Sequence, residues 1–448
     1  MLHVEKKIYC IAGPEFGSDE GKTAIIVRAL YGLKSSGAVW RAMMAQSMYD
    51  IGFFPSKGDP DVWMRATTKP DGYKYYEYVL IYVDDILCCS HRAEEVMKTI
   101  EGLYRLKKDP KTGKGYAPPE IYLGAEVSQY ALEDDMKPYW SLSSTKYVKQ
   151  AVRNVELELE KTGRKLNSRT LGPLAHGYKP ELDVTEPLDA KRANYYQNLI
   201  GVLRWAVELG RIDINYHVAI MSKFLAAPRK GHLEQVFCIF AYLKKNPSYR
   251  IVMDSSPIDW EEDKFPERDW NDFYQNPKEE LPPNMPEPRG KSVQINCFVD
   301  ADHAGDVVSR RSHTGILIYV NRSPVIWYSK RQNTVETSTF GSEFIALRIA
   351  TEMIEGLRYK LRMFGVPLDG PANVFGDNQS VINNATIPES PLKKKHVAIC
   401  YHRVREACAS GVIRVAKVAS KSNLADLLTK NLDRLRHKYL TEKIMRHS

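Results

Sequence analysis

The chain has no apolar run approaching the roughly 18 residues that a membrane-crossing helix needs, so no membrane partner is expected. Its seven cysteines are an odd number and contain no Cys-x-x-Cys pair. That argues against a disulfide framework and against a zinc ribbon, and it suits a reduced, intracellular chain. No internal repeat is visible, and residues 1–7 do not read as a signal peptide. Acidic residues are the minority: 55 Asp and Glu stand against 64 Lys and Arg, a formal net charge of +9. A basic surface most often meets nucleic acid, although plain solubility would also account for such a total. At 448 residues the chain has room for two to four domains, each with its own core.

What is present begins with Tyr82-Val83-Asp84-Asp85, set between the β-rich run from Tyr78 to Val83 and the apolar residues from Ile86 to Cys89. Two short strands around two Asp predict a hairpin with both carboxylates at its tip. Paired hard oxygen ligands suit a divalent cation, and a two-cation site is the usual device for in-line chemistry on phosphodiesters. A solvated acidic turn is the plain alternative. Upstream lie Leu30-Tyr31-Gly32-Leu33-Lys34-Ser35-Ser36-Gly37-Ala38-Val39-Trp40, and downstream Ile121-Tyr122-Leu123-Gly124. In that order these stretches resemble the reverse transcriptase of copia-type (Pseudoviridae-like) LTR retrotransposons.

The resemblance implies reverse transcriptase fingers and palm over residues 1–135, with Asp84 and Asp85 as catalytic metal ligands. Gly32, Lys34 and Tyr82 would contact template or nucleotide. The segment from Val4 to Phe16 looks like the stretch just after the family's first catalytic Asp, so that Asp would lie upstream of Met1. The expectation is therefore an N-terminally truncated polymerase half, inactive as given. Gly37 stands where the family usually has Pro. A helix from Ala38 to Tyr49 is predicted, with Trp40, Met44 and Met48 on its packed face.

Residues 136–253 read as a helical thumb or connection, with helices over 146–161, 195–209, 212–225 and 231–245. Arg211-Ile212-Asp213-Ile214 resembles the family's Arg-Pro-Asp-Ile element, for which a structural role is expected. Residues 254–291 hold seven prolines and eleven Asp and Glu against five Lys and Arg, a local charge of −6 that leaves +15 for the remainder. Such composition predicts a linker without its own core. Its aromatics, Trp260, Phe265, Trp270, Phe273 and Tyr274, are unusual for a linker and suit docking on a neighbour.

From 292 to 435 the predicted order is three strands (293–300, 314–320, 325–329), a long helix (337–364), a strand (374–376), a helix (402–409), a strand (412–418) and a last helix from Asn423. Residues 436–448 are a tail. A meander followed by alternating helix and strand implies a mixed five-stranded sheet with flanking helices. That order resembles the ribonuclease H fold, and the chain as a whole is expected to be an α/β, α+β multidomain protein. Asp300, Glu343, Asp377 and Asp426 match the copia-type ribonuclease H pattern position by position. They are 43, 34 and 49 residues apart, so only a fold that gathers strand ends could unite them. Each alone has a bland explanation: strand-end turn, N-cap, or first-turn helix charge.

The resemblance implies two Mg²⁺ or Mn²⁺ ions per active site. Asp300 would bridge them, Glu343 and Asp377 would hold the one at the leaving oxygen, and Asp426 the one that activates water. Asp302 is expected on the face away from Asp300. Arg310, Arg311, Lys330, Arg331 and Gln332 are expected to contact phosphate, as are Lys395, His396 and His402. The chain then reads as a fragment of a retrotransposon Pol polyprotein that cleaves the RNA of RNA–DNA hybrids. Its partners would be hybrid, template RNA, nascent DNA and other polyprotein products, in a cytoplasmic particle or in the nucleus. The competing reading is a decayed or co-opted remnant that only binds nucleic acid. Residues from about Lys291 onward are expected to fold alone, because they begin with the first sheet strand and end with the helix bearing Asp426.

Overall fold

The computed structural model describes residues 8–26, 32–110, 112–132, 137–392 and 397–447. It divides into two compact units, one of residues 1–118 with 363–365, the other of 119–362 with 366–448.

In the first unit, β1 (Ile8–Ile11) and β2 (Thr23–Ile26) form an antiparallel ribbon. Helix α1 (Ser36–Asp50) precedes a sheet of β3 (Phe54–Pro55), β4 (Val62–Thr68), β5 (Lys74–Tyr82) and β6 (Asp85–Cys89), all antiparallel and in that order. Helix α2 (Ala93–Leu103) follows. Met44 and Met48 of α1 and Val96 and Ile100 of α2 are buried with Phe53, Trp63 and Val79, and Trp40 packs beside them. This is the apolar stripe that the 3.6-residue period placed on one face of α1.

The second unit begins with β7 (Ile121–Tyr122), β8 (Ala125–Ala131) and β9 (Pro138–Ser143), the last of these in the stretch from 136 onward where only helices were expected. Helices α3 (Thr145–Glu160), α4 (Ala190–Glu208), α5 (Asn215–Met221) and α6 (Lys230–Lys245) come next, then β10 (Tyr249–Val252). β10 pairs with β9, and the helices share a core around Val148, Tyr196, Leu203, Val236 and Phe240. Asp189 caps α4 by accepting from the Arg192 amide.

A second sheet in the same unit is built from β11 (Ile295–Asp302), β12 (His313–Val320), β13 (Ser323–Arg331), β14 (Ala372–Gly376) and β15 (Ile413–Lys417). Its order is β13-β12-β11-β14-β15, antiparallel across the first three strands and parallel across the last three. This is the mixed five-stranded sheet expected from the element order. Alternation along each strand divides the side chains between two faces. Cys297, Val299, Ala301 and Val374 pack with α7 (Thr339–Met363), α8 (Gln379–Thr386) and α9 (Ala398–Ala409). Phe298, Leu317, Phe375 and Ala416 pack on the other side with Leu427, Leu428, Tyr249 and Ile251.

The C-terminal end departs from expectation. Residues 424–428 form a short 3-10 turn, and the helix α10 begins only at Arg434, capped by Asp433, and runs to Ile444. The presumed tail is therefore mostly α10 and a short strand, β16 (Arg446–His447), which pairs with β10. Leu440, Ile444 and Met445 are buried in the core beneath the second sheet.

The proline-rich acidic segment is ordered against this unit. The Trp260 ring lies 4.3 Å from Phe375, and its indole N–H donates to the Asn296 side chain at 2.7 Å. Glu279 accepts from both Arg358 and Arg362 of α7. The Arg405 guanidinium stacks over Trp270, Phe273 and Tyr401.

Candidate active site

Parallel pairing of β11 with β14, in the register Phe298 to Phe375, brings Asp300 and the residue just past β14, Asp377, to the same sheet end. Helix α7 crosses that end near its own N-terminus and brings Glu343, whose neighbours Phe344 and Leu347 are buried in the core. Carboxylate oxygens of Asp300, Glu343 and Asp377 all lie within 4.8 Å of one another. Asp300 and Glu343 are buried, while Asp377 is half-buried. The N-cap of α8 is Asn378, which accepts from the Ser380 and Val381 amides, so capping does not consume Asp377. Three carboxylates converging from separate elements, two of them buried, form a donor set suited to a hard divalent cation.

The electrostatics agree with that fit. Burial pushes the Asp300 carboxyl up to about 6; the Asp426 charge adds to this, while Lys430 and the Thr429 hydroxyl oppose it. Glu343 is raised well above the usual carboxylate range, first by burial and then by the charges of Asp300 and Asp377. A bound cation would relieve both effects.

Asp426 is not in the three-carboxylate group but stands beside Asp300. Lys430 bridges the two, its Nζ 3.1 Å from Asp300 Oδ2 and 2.7 Å from Asp426 Oδ1. Arg436 Nη2 meets the other Asp426 oxygen at 3.0 Å. Thr429 Oγ1 donates to Asp300. Burial works against the Lys430 charge, but the two carboxylates outweigh it and hold the ammonium above the usual lysine range. Lys430 is not among the candidate residues read from the sequence, although its position four residues after Asp426 was a visible signal for an ion pair.

Asp302 is a correction. Residues two apart on a strand share a face, and the charge of Lys430 reaches Asp302 as well as Asp300. Gln332 is a second correction: it is buried, and its amide donates to Thr314 Oγ1 and to the Ser342 carbonyl at 3.0 and 2.8 Å, so it is no phosphate contact. Arg310 and Lys330 are exposed and Arg311 is half-buried. Arg331 shares Asp306 with Lys223, at 3.5 and 3.4 Å. His402 is exposed on α9, edge-on to Tyr401. Lys395 and His396 lie outside the described residues.

In the first unit the hairpin forms as expected, with Tyr82 paired to Asp85 and Val83-Asp84 at the turn. Val83 has φ +56°, unusual for a β-branched residue, and its carbonyl accepts from the Trp40 indole at 2.7 Å. Tyr82, Asp84 and Asp85 are exposed. Gly32 has φ +95°, and Lys34 is exposed. Among the described residues, no third carboxylate joins Asp84 and Asp85 in a metal-holding group.

Residues 2–163 match the family model described as reverse transcriptase (RNA-dependent DNA polymerase). The chain is 24% identical over 417 residues to the retrovirus-related Pol polyprotein from transposon RE1 of Arabidopsis thaliana, covering 93% of this chain and 24% of that protein. It is 25% identical to the Pol polyprotein from transposon TNT 1-94 of Nicotiana tabacum, over 100% of this chain and 30% of that one. The putative transposon Ty5-1 protein YCL074W of Saccharomyces cerevisiae is 27% identical over 73% of this chain and 89% of its own length. The chain thus spans about a quarter to a third of the two plant polyproteins. Among solved structures, LC11-RNase H1 in complex with RNA/DNA hybrid matches 30% of this chain and 94% of its own, at 16% identity and a TM-score of 0.26.

Proposed function

We propose that this chain, a copia-like retrotransposon Pol polyprotein in sequence, hydrolyses the RNA strand of RNA–DNA hybrids at the Asp300 centre. The observation that carries this reading is the convergence of Asp300, Glu343 and Asp377 within 4.8 Å, with Asp426 alongside. Asp300, Glu343 and Asp377 would hold one divalent cation, Mg²⁺ or Mn²⁺, and Asp300 with Asp426 a second. When bound, such ions supply neutralisation of the carboxylates and stabilisation of charge developing on a phosphodiester. The chain's own residues do the rest. Burial keeps Asp300, Glu343 and Asp426 away from bulk water, while Asp377 is half-buried. The exposed side chains of Arg310 and Lys330 offer cations to backbone phosphates, which position a duplex without reading its sequence. Selection of hybrid would rest on duplex shape and 2′-hydroxyls.

The test uses the full chain with a labelled RNA–DNA hybrid and Mg²⁺ or Mn²⁺. Cleavage of the RNA strand is expected, with single-stranded RNA left largely uncut. Asp300→Asn should abolish cleavage while hybrid binding, read by fluorescence anisotropy, persists. Protein that folds and binds hybrid, yet leaves it uncut with either metal, would replace this reading with that of a binding remnant. For the Asp84–Asp85 hairpin we expect no primer extension on an RNA template by the 448-residue chain, because no third carboxylate joins the pair among the described residues. Extension above an Asp85→Asn control would refute this.

A further inference from the structure

The four acids of the proposed centre are not equivalent. Neither Glu343 nor Asp377 forms an ion pair with a basic side chain among the described residues, whereas Asp300 and Asp426 share the Lys430 ammonium. Asp426 has both oxygens engaged, Oδ1 by Lys430 and Oδ2 by Arg436. Arg436 is anchored in turn by the backbone carbonyls of Ser420 and Lys421. Lys430 has no such backbone anchor among the described contacts, and its side chain is 38% exposed against 2% for Asp300 and 11% for Asp426. It reaches the carboxylates from the surface, on a flexible four-carbon stem that can swing outward.

We propose that Lys430 is a built-in counter-ion: its ammonium holds the place between Asp300 and Asp426, so the centre without nucleic acid accepts one divalent cation, at Asp300, Glu343 and Asp377. The proposal rests on the reading of this centre as a metal site. Two carboxylates side by side need a positive charge between them, and a side-chain cation supplies it as long as no second metal ion does. The two cannot occupy the same place. A nucleic-acid phosphate offers the ammonium an alternative anionic partner, and moving Lys430 to it would open the Asp300–Asp426 position. Lys430 is in this view a positioning residue that couples occupancy of the second cation position to the presence of substrate. Arg436 stays on Asp426 throughout, because its backbone contacts tie it to the turn at Ser420 and Lys421.

The experiment is calorimetric titration of the full chain with Mn²⁺ in the absence of nucleic acid, carrying Asp84→Asn and Asp85→Asn so that the hairpin contributes no site. One equivalent of bound Mn²⁺ is expected in this background, and a second equivalent on adding Lys430→Gln. Lys430→Arg, which keeps the cation, should stay at one. Thermal melting gives a second readout: metal-free Lys430→Gln should melt below the parent, and saturating Mn²⁺ should close that gap. Two equivalents in the parent, or no gain with Lys430→Gln, would overturn the counter-ion role and leave the metal centre standing. A Lys430→Gln protein whose lost melting temperature Mn²⁺ does not restore would reduce Lys430 to a structural ion pair. Absence of any binding in the parent would instead sink the metal-centre reading itself.

Discussion

Single residues decide how this centre is held, and Gln332 shows where a motif misleads. It ends the run Trp327-Tyr328-Ser329-Lys330-Arg331-Gln332, whose resemblance to the family implied phosphate contact by Lys330, Arg331 and Gln332. Alternation along β13 sends Lys330 outward, but Gln332 lies past the strand and turns inward to join Thr314 of β12 to the Ser342 carbonyl in α7. It thereby fixes the turn of α7 that bears Glu343. Gln332→Ala would leave a buried hydroxyl and a buried carbonyl without that partner, a loss of about 1–3 kcal/mol. Urea denaturation of the second unit should show that loss, with hybrid affinity unchanged. A drop in hybrid affinity at unchanged stability would restore the phosphate-contact reading. The four acids were legible because each sits in a local motif of its own. Thr429 and Arg436 were not, because their meaning depends on which side chains the sheet end gathers, and the spacing of Lys430 signalled its pair with Asp426 but not its contact with Asp300.

At the scale of elements, the segment from 254 to 291 has the composition of a linker and the contacts of a strap. Proline content and net charge measure whether a stretch can build its own core, not whether it can borrow one. Trp260 and Phe265 join the core of the second sheet, and Glu279 pins the strap to α7 through two guanidiniums. Burial alone would raise the Glu279 carboxyl, but hydrogen bonds and charges from Arg358 and Arg362 prevail and hold it at about 2, from an ordinary 4.5. Folding is thus favoured by its ionised form. The contribution is full above about 4.5 and is lost as pH falls through about 2. Glu279→Gln leaves two guanidiniums without their counter-charge, a cost on the order of 3 kcal/mol for a mostly buried group. The expected outcome is faster limited proteolysis within 254–291 and a lower urea midpoint at pH 7. The gap from the parent should narrow below pH 4.5. An equal gap at pH 7 and pH 3 would mean that the charge pair is not what holds the strap.

At the scale of the whole chain, the element order correctly gave a mixed five-stranded sheet but not the boundary of the body that contains it. A strand meander with alternating helices looks self-sufficient when read in sequence, since it supplies one complete face of helices. The other face shows why it is not. Phe298, Leu317 and Phe375 share their core with Ile212, Tyr249 and Ile251, all contributed from before the strap. The Trp327 indole donates to the Val207 carbonyl at 3.0 Å, and His437 Nε2 meets the Asp213 carbonyl at 2.9 Å. Asp213 is itself buried in a two-bond pair with Arg211, at 2.9 and 2.6 Å. β16 closes on β10, so the C-terminal residues complete a sheet that begins at Ile121. The pairings of Trp327 with Val207, of His437 with Asp213 and of β16 with β10 have no local sequence signature, because each joins residues more than 100 positions apart. A fragment from Lys291 to Ser448 would expose that apolar face and strand the His437 imidazole, so it should be insoluble or melt without cooperativity. Residues 119–448 keep every one of these contacts and should unfold in a single transition by near-UV circular dichroism and urea titration. They also keep all four acids of the proposed centre, and should therefore retain whatever hybrid cleavage the full chain shows. A cooperative, soluble 291–448 fragment of equal stability would show that the shared face adds nothing to the fold.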